Sequence, residues 1–404
     1  MLNMPAFTEK QFVTDHIKSI LAFYDAKVDD ESGGYFQNYK DDGSIFNPEF
    51  KQLVSSTRIV VNYAVAFKLF GKEEYKARAV RGIRFVEDIH WQPEQNAYAW
   101  TLHNNQAQDM TQQAYGYAFV LLAYAALHKY QILDCRDNMQ TVFAQLETSF
   151  WQTDYGLYAD EISADGVLSD YRGQNANMHL CEAMLMAYEA SGDIQYLDKA
   201  ETIANNICFR QAELTNGLVW EHYTKTFLPD WEYNKDDPKN LYRPWGFQPG
   251  HQTEWTKLLL SLHRHRPSAK YENKAIELFD IAYGTAWDNE YGGLVYGFSP
   301  DGKWCDEDKY FWVQAESIAA AAMIYELTGN NDYLDAYQAL WAYCWKHMID
   351  HEYGAWFRLL TRENGKTSDE KSSAGAKCDY HSLCACAEVL RVIGDNEKLS
   401  PFAK

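Results

Sequence analysis

The amino-acid sequence predicts an all-α fold, an (α/α)6 barrel in which six helical hairpins close into a toroid and short β-hairpin turns join the repeats. Two observations predict this fold. A short turn motif recurs six times along the chain, and the segments between its copies carry the apolar periodicity of helices. We expect the six units to form one domain over residues 1–404, although a chain of this length could also hold two or three domains.

The recurring motif is a glycine or small residue followed by aromatic and β-branched residues, with acidic or amide residues before it. Such a pattern is typical of a short strand or tight hairpin entered through a turn. The second positions of successive copies lie 63, 60, 61, 75 and 62 residues apart, and this regularity indicates a structural repeat. Those second positions are Gly34, Ala97, Leu157, Leu218, Gly293 and Ala355.

The segments between the copies are long enough for two helices each. A stripe of period 3.6 runs through residues 60–69, and another follows Trp255. Residues 116–127 are apolar nearly all round, which is typical of a helix buried on both sides. An open superhelix of stacked hairpins is the alternative to a ring. We favour closure, because no polar capping repeat occurs at either end.

The step of 75 residues is longer than the others, and its excess falls in residues 221–249. This insertion is rich in Pro, Asp and Asn and also carries Trp231, Tyr233, Arg243 and Trp245. Long loops on compact folds are usually functional. We therefore predict a lid that brings aromatic and guanidinium groups over the central pit; a surface insertion without function is the alternative.

The composition argues against several classes of partner. With 37 basic and 57 acidic residues the net charge is -20, which disfavours nucleic acids and anionic membranes. The eight cysteines form no C-x-x-C pair, so free buried thiols are predicted rather than a disulfide framework. No signal peptide and no long uninterrupted apolar stretch is evident. A cytoplasmic protein is predicted, and a homo-oligomer is compatible with the sequence.

Polar residues recur in the first turns of the predicted inner helices. Because all inner helices of a toroid run parallel, these residues should meet at one end of the ring. Convergent polar groups in an apolar pit are the usual form of a small-molecule site. Ser55, Ser56 and Asp109 are predicted to cap two of these helices. The candidate site residues on the helices are Arg58, Tyr115, Asn175, His179, Glu182, His251, Glu254, Trp312, Glu316 and His381.

A structural role is the alternative for each of these residues. His179, His251 and His381 occupy matching positions on separate inner helices, which favours function. His251 and Glu254 share a helix face, as a metal-binding pair would, but the sequence lacks H-E-x-x-H and an evident third ligand. Nucleotide-binding and serine-hydrolase motifs are also absent from the sequence, so we predict neither a metal nor a diffusible cofactor.

Two stretches resemble the signatures of the N-acylglucosamine 2-epimerase superfamily. They are residues 243–255, RPWGFQPGHQTEW, and residues 175–183, NANMHLCEA. Arg58 after Ser-Ser-Thr and His381 in the last helix complete a resemblance that covers essentially the whole chain. Within the superfamily the sequence resembles the branch of mannose and sulfosugar isomerases. The resemblance implies an (α/α)6 barrel and cofactor-free interconversion of an aldose with its ketose.

The residue chemistry agrees with that implication. Moving a proton between neighbouring carbons requires a base with a pKa near the working pH, and histidine fits. Hydrogen-bonding or positive groups must also stabilise the enediolate charge. We predict His251 and His381 as the acid/base pair. By resemblance, Glu254 would orient or polarise near His251, and Arg58 and His179 would stabilise the oxyanion. The groups predicted to hold the sugar are Tyr115, Asn175, Arg243, Trp312 and Glu316.

Three other functions remain open. A 2-epimerase of the N-acylglucosamine or cellobiose type would use the same residues and return the proton to the opposite face of C2. A glycoside hydrolase needs two opposed carboxylates, and this role for Glu254 and Glu316 would leave the histidines without one. A non-catalytic sugar binder would not need paired histidines. Arg58 and Arg243 are the evident cationic groups, so a neutral hexose such as D-mannose, converted to D-fructose, is the predicted substrate, with D-lyxose and D-xylulose as a further pair.

Overall fold

The computed structural model describes residues 3–399, which contain twelve α-helices and seventeen short strands. Helices α3, α7 and α11 each continue into one π-helical turn, at residues 86–90, 206–211 and 344–348. The helices are α1 (Lys10–Asp25), α2 (Leu53–Phe70), α3 (Glu73–Phe85), α4 (Ala114–Lys129), α5 (Arg136–Ser149), α6 (Gln174–Ser191), α7 (Ile194–Asn205), α8 (Pro249–His265), α9 (Ala269–Ala286), α10 (Phe311–Thr328), α11 (Asn331–Tyr343) and α12 (Tyr380–Ile393).

The even-numbered helices form the inner ring of the barrel. Each contacts the next, and α12 contacts α2, so the ring is closed. Each inner helix packs against the outer helix that follows it, except that α12 packs against α1 from the other end of the chain. This closure confirms the predicted (α/α)6 barrel and excludes the open superhelix.

The ring explains why two inner helices are apolar on all sides. Every residue from 116 to 127 in α4 is buried, as predicted, because α4 contacts α2, α5 and α6. Helix α2 is the one described helix that is long and apolar enough to cross a membrane, but 78% of it is buried inside the protein. Its apolar composition is therefore that of a core helix.

All eight cysteines are free thiols, as predicted.

Short antiparallel strand pairs join the repeats at one end of the ring. The pairs are β3–β4, β8–β9, β7–β10, β11–β12, β13–β14 and β15–β16, and β2–β5–β6 form a three-stranded sheet. Pairing of β1 with β17, with Tyr39 opposite Ser372, links the first repeat to the last. The strands are β1 (Tyr39–Lys40), β2 (Phe50–Gln52), β3 (Trp91–Gln92), β4 (Ala97–Tyr98), β5 (Thr101–His103), β6 (Gln106–Asp109), β7 (Gln112–Gln113), β8 (Trp151–Gln152), β9 (Leu157–Tyr158), β10 (Glu161–Ile162), β11 (Arg172–Gly173), β12 (His222–Tyr223), β13 (Gly297–Phe298), β14 (Trp304–Asp306), β15 (Lys309–Tyr310), β16 (Leu359–Leu360) and β17 (Glu370–Ser372).

Three inner helices hold the repeated turns in place through a side-chain amide at their fourth residue. Each amide accepts a hydrogen bond from one backbone N–H of the turn and donates to the carbonyl of the same residue, at 2.8 to 2.9 Å. Such paired bonds satisfy buried backbone groups that no strand reaches. The pairs are Asn177 with Tyr158, Gln252 with Val219 and Gln314 with Leu294.

The predicted helix caps are wrong. Helix α2 begins at Leu53, so Ser55 and Ser56 lie inside it, and their hydroxyls accept hydrogen bonds from Gly375 N and Gln37 Nε2. Asp109 ends strand β6 and accepts from the backbone N–H of Thr111. Strand pairing carries the chain directly into these helices, and a residue in extended conformation precedes each one.

Candidate active site

The mouths of the inner helices surround a cavity of about 690 Å³, within the usual range for small-molecule sites. Nine of the ten residues predicted to act on a sugar line this cavity, and Glu316 does not. The nine are Arg58, Tyr115, Asn175, His179, Arg243, His251, Glu254, Trp312 and His381.

His381 is held from behind by a buried carboxylate. Its Nδ1 donates to Glu316 Oε1 at 2.7 Å, since a carboxylate can only accept. This bond leaves the lone pair of the neutral ring on Nε2. Glu316, predicted to grip substrate, thus contacts the histidine instead. Glu316 is the sixth residue of α10, as Glu254 is of α8, but its two oxygens are occupied by His381 and Lys257, which position in the sequence could not show.

Glu316 is ionised because Lys257 pairs with it. Burial alone would raise the pKa of Glu316, but the ammonium of Lys257 and the hydrogen bond from His381 hold it down, at about 2. Burial lowers the pKa of His381 below its ordinary value, and the bond to Glu316 only partly opposes this. At neutral pH the pair is therefore a neutral imidazole on an anionic carboxylate, which is the form a general base requires.

His251 has the same arrangement with a different partner from the one predicted. Its Nδ1 donates to Glu221 Oε1 at 2.9 Å, and the other oxygen of Glu221 accepts from Gln174 Nε2 at 3.0 Å. Glu254, predicted to orient His251, makes no hydrogen bond to it. Glu221 occupies Nδ1 of His251 instead, so a spacing of three residues, which does allow the bond between His179 and Glu182, does not by itself fix the partner of a histidine.

The cavity floor carries one cation without a carboxylate partner among residues 3–399. Arg58 is buried, donates to the Tyr115 hydroxyl at 2.7 Å and stacks on Phe119 at 4.2 Å. Beside it His179 donates from Nδ1 to Glu182 at 2.9 Å, and burial lowers the pKa of His179 to about 4. A fixed guanidinium next to a neutral imidazole suits the stabilisation of a developing oxyanion.

Trp312 separates the two glutamate-backed histidines. Its ring lies 4.9 Å from the ring of His251 and 5.8 Å from that of His381, tilted by 36° and 40°. This close approach depends on Gly250, since a Cβ at that position would lie 2.4 Å from Trp312 Cζ3 and 2.9 Å from Val313 Cγ2. Gly250 therefore sets the distance between α8 and α10 at the cavity.

We expect Gly250→Ala to displace Trp312 and to destabilise the protein by about 1–3 kcal/mol through overpacking, with a raised KM. Gly284→Ala is the matched control, because Gly284 is also helical and its Cβ would meet nothing within 4 Å. The control should be neutral or stabilising by a few tenths to about 1 kcal/mol. Thermal unfolding and steady-state kinetics measure both variants, and equal behaviour of the two would contradict the contact.

Several cavity residues were missed by the sequence analysis, although a signal for them existed. In each copy of the turn motif, one residue lies three positions on from the second position. The residue found there lines the cavity in five of the six copies. In three repeats the side-chain amide of Asn177, Gln252 or Gln314 holds the turn two residues before this position. These residues are Trp100, Asp160, Glu221, Tyr296 and Arg358, with the buried Gln37 as the sixth.

Several residues of the insertion at 221–249 line the cavity. Arg243 reaches in from it, stacks on Tyr171 at 3.9 Å and bonds to Glu161 Oε2 and the Tyr233 hydroxyl at 3.0 Å each. The two tryptophans expected over the pit lie elsewhere. Trp231 and Trp245 pack on Trp220, at 4.5 and 6.0 Å between ring centroids, and anchor the insertion to the barrel.

Two groups of side chains bring three possible metal-ligand atoms within 4.8 Å of one another. They are His179 with Glu182 and Glu254, and Glu254 with Glu316 and His381. In both groups the histidine Nδ1 already donates to a carboxylate, and in the second Lys257 neutralises Glu316. A ring nitrogen that donates a hydrogen bond cannot also ligate a metal, because a ligating nitrogen must present its lone pair. In both groups Nδ1 therefore serves the hydrogen-bond network.

Comparison with known proteins shows the family and the fold of this chain. A family model described as N-acylglucosamine 2-epimerase matches residues 34–385. A D-mannose isomerase of Marinomonas mediterranea is 48% identical over 394 residues, which are 97% of this chain and 100% of the relative. The crystal structure of a D-mannose isomerase, also 48% identical, superposes with a TM-score of 0.95 over 96% of this chain and 100% of that one. A cellobiose 2-epimerase from Bacillus thermoamylovorans shares the fold, with a TM-score of 0.81 at 20% identity over 95% of this chain and 100% of that one.

Proposed function

This chain belongs to the N-acylglucosamine 2-epimerase family, and from that premise we propose that it is a cofactor-independent aldose–ketose isomerase that interconverts D-mannose and D-fructose. One observation carries the proposal. His251 and His381 flank Trp312 in one cavity, and each is backed by a buried glutamate. A sequence identity of 48% to a D-mannose isomerase, over that relative's whole length, supports the choice of sugar.

In this mechanism either His251 or His381 takes the proton from C2 of the open-chain aldose. A protonated histidine then donates a proton to C1. Negative charge develops on the enediolate oxygens between these steps. Arg58 and His179 stabilise it, because their donors are fixed in a buried site and need no reorganisation. The sugar is held by Trp312, Tyr115 and Asn175. The side-chain oxygen of Asn175 is buried without a hydrogen-bond partner among the described residues, so it can accept a hydrogen bond from a sugar hydroxyl.

Incubation with mannose, glucose, N-acetylglucosamine and cellobiose, followed by product identification, tests the proposal. Mannose should give fructose at the highest kcat/KM, and exhaustive chelation should leave turnover unchanged. Conversion of cellobiose or N-acetylglucosamine into its C2 epimer, without ketose from mannose, would assign the epimerase activity instead. Loss of activity on chelation that manganese or zinc restores would overturn the cofactor-independent mechanism.

We also propose that residues 221–249 act as a lid. The insertion places Arg243 at the cavity, where its guanidinium contacts Tyr171 and Glu161 of the barrel. Saturating mannose should therefore slow amide hydrogen exchange across this segment, since ligand contacts favour the closed arrangement. Exchange in α9, on the outer ring, serves as the internal control. The same exchange rates in the segment with and without sugar would contradict a gating role.

A further inference from the structure

Glu254 is a buried carboxyl group without a hydrogen bond to any described residue. It projects from α8 into the cavity, only 2% of it is exposed, and neither of its oxygens has a hydrogen-bond partner among residues 3–399. The nearest ring nitrogen is His179 Nδ1, 3.8 Å from Oε1, and that nitrogen already donates to Glu182 at 2.9 Å. An ionised carboxylate in this position would lack the hydrogen bonds that normally compensate its burial.

The neighbouring carboxyl groups are fully engaged. Glu182 accepts from His179 and, at 2.6 Å, from the Tyr380 hydroxyl. Glu316 is paired with Lys257 and accepts from His381. Both neighbours are held as anions by these donors, and they flank Glu254 on either side of the floor.

These surroundings decide the protonation of Glu254. Burial raises its pKa well above the ordinary value, and the negative charges of Glu316 and Glu182 raise it further. The positive charges of Lys257 and Arg58 act in the opposite direction without reversing the shift. Glu254 therefore carries a proton at neutral pH, while the carboxylates around it do not.

We propose that Glu254 is the group that carries protons between O1 and O2 of the sugar. This inference rests on the proposed isomerase function. The conversion needs one proton delivered to O1 and one removed from O2, in addition to the transfer from C2 to C1. A histidine that holds the C2 proton and returns it to C1 cannot carry the protons of the oxygens as well. Glu254 lines the cavity between His179 and the neighbourhood of His381, and a neutral carboxyl group can donate from one oxygen and accept at the other.

Protons and electron pairs balance in each half of the reaction. The base histidine takes the C2 proton, the C2–H electron pair forms the C1=C2 double bond, and the C1 carbonyl electrons move to O1. Glu254 gives its proton to O1. In the second half Glu254 takes the proton of the C2 hydroxyl as C2=O2 forms, and C1 receives a proton from the imidazolium. Glu254 and the histidine thus return to their starting states.

The test uses Glu254→Gln, which keeps the size and a hydrogen-bond donor but cannot exchange a proton. We expect kcat for mannose to fall at least about 100-fold, with KM changed much less. Because the transfers between oxygens would then limit the rate, mannose deuterated at C2 should react with this variant at nearly the rate of unlabelled mannose. Glu254→Asp keeps the acid and should recover part of the lost activity. Glu189→Gln removes a carboxylate at the far end of α6, paired with Lys129 and His265, and should leave kcat unchanged.

Three outcomes would overturn the inference. They are a Glu254→Gln variant within tenfold of the wild-type kcat, a loss confined to KM, and a large primary isotope effect from C2 deuterium in that variant. The last would mean that Glu254 assists the step at carbon. Failure of the wild-type protein to make fructose from mannose would instead contradict the proposed function, so the two failures are distinguishable.

Discussion

Replacing His251 or His381 with alanine should lower kcat by about 100- to 10,000-fold, the usual cost of removing a general acid or base. Both rings line the cavity and their Nδ1 atoms are fixed by glutamates, so each loses a proton-transfer group. The variants should still fold, because both residues lie in the first turns of their helices and their rings face the cavity. Steady-state kinetics with mannose measure the loss, and circular dichroism checks the fold.

His103→Ala is the control for this pair. His103 is an exposed histidine on strand β5, and its removal should leave kcat unchanged. If both His251→Ala and His381→Ala keep near-wild-type kcat while folding normally, the acid/base assignment is wrong. The remaining candidates in the cavity would then be His179 and Glu254.

Glu316→Gln should produce the second large loss, roughly 100-fold or more in kcat, since loss of an orienting carboxylate costs up to about 10,000-fold in a comparable triad. The amide would no longer fix Nδ1 of His381 as the donor, and Lys257 would lose its counter-charge. Glu221→Gln should act in the same way on His251. Wild-type kcat in both variants would contradict the role given to these glutamates.

The pH dependence of kcat distinguishes two effects of Glu316 on His381, the orientation of the ring and its protonation. His381 must be neutral to act as a base, and burial lowers its pKa below the ordinary value, so kcat should fall only below about pH 6.5. Glu316 opposes that shift, and its removal should lower the pKa of His381 further. The acid limb of the profile should therefore move to lower pH in Glu316→Gln. An acid limb that moves to higher pH would contradict the assigned protonation state.

The sequence alone determined the barrel and the composition of its site. Turn copies at near-constant spacing and helical apolar stripes required six similar units, and parallel inner helices brought residues such as Arg58, His179 and His251 to one end. These inferences succeeded because they depend on local periodicity, which is visible in a single chain. Of the ten helix residues predicted in this way, eight line the cavity, and Glu182 and Glu316 do not.

Only the tertiary structure decided which carboxyl group serves which histidine. Glu221 lies 30 residues before His251, and Glu316 lies 65 residues before His381, so no helical spacing connects them. Each partnership depends on how neighbouring inner helices are rotated and on the turn that points Glu221 inward. The protonation of Glu254 likewise follows from burial and from the charges of groups on other helices. Sequence periodicity fixes the face on which a residue lies, but contacts across the ring depend on packing between segments that are distant in the chain.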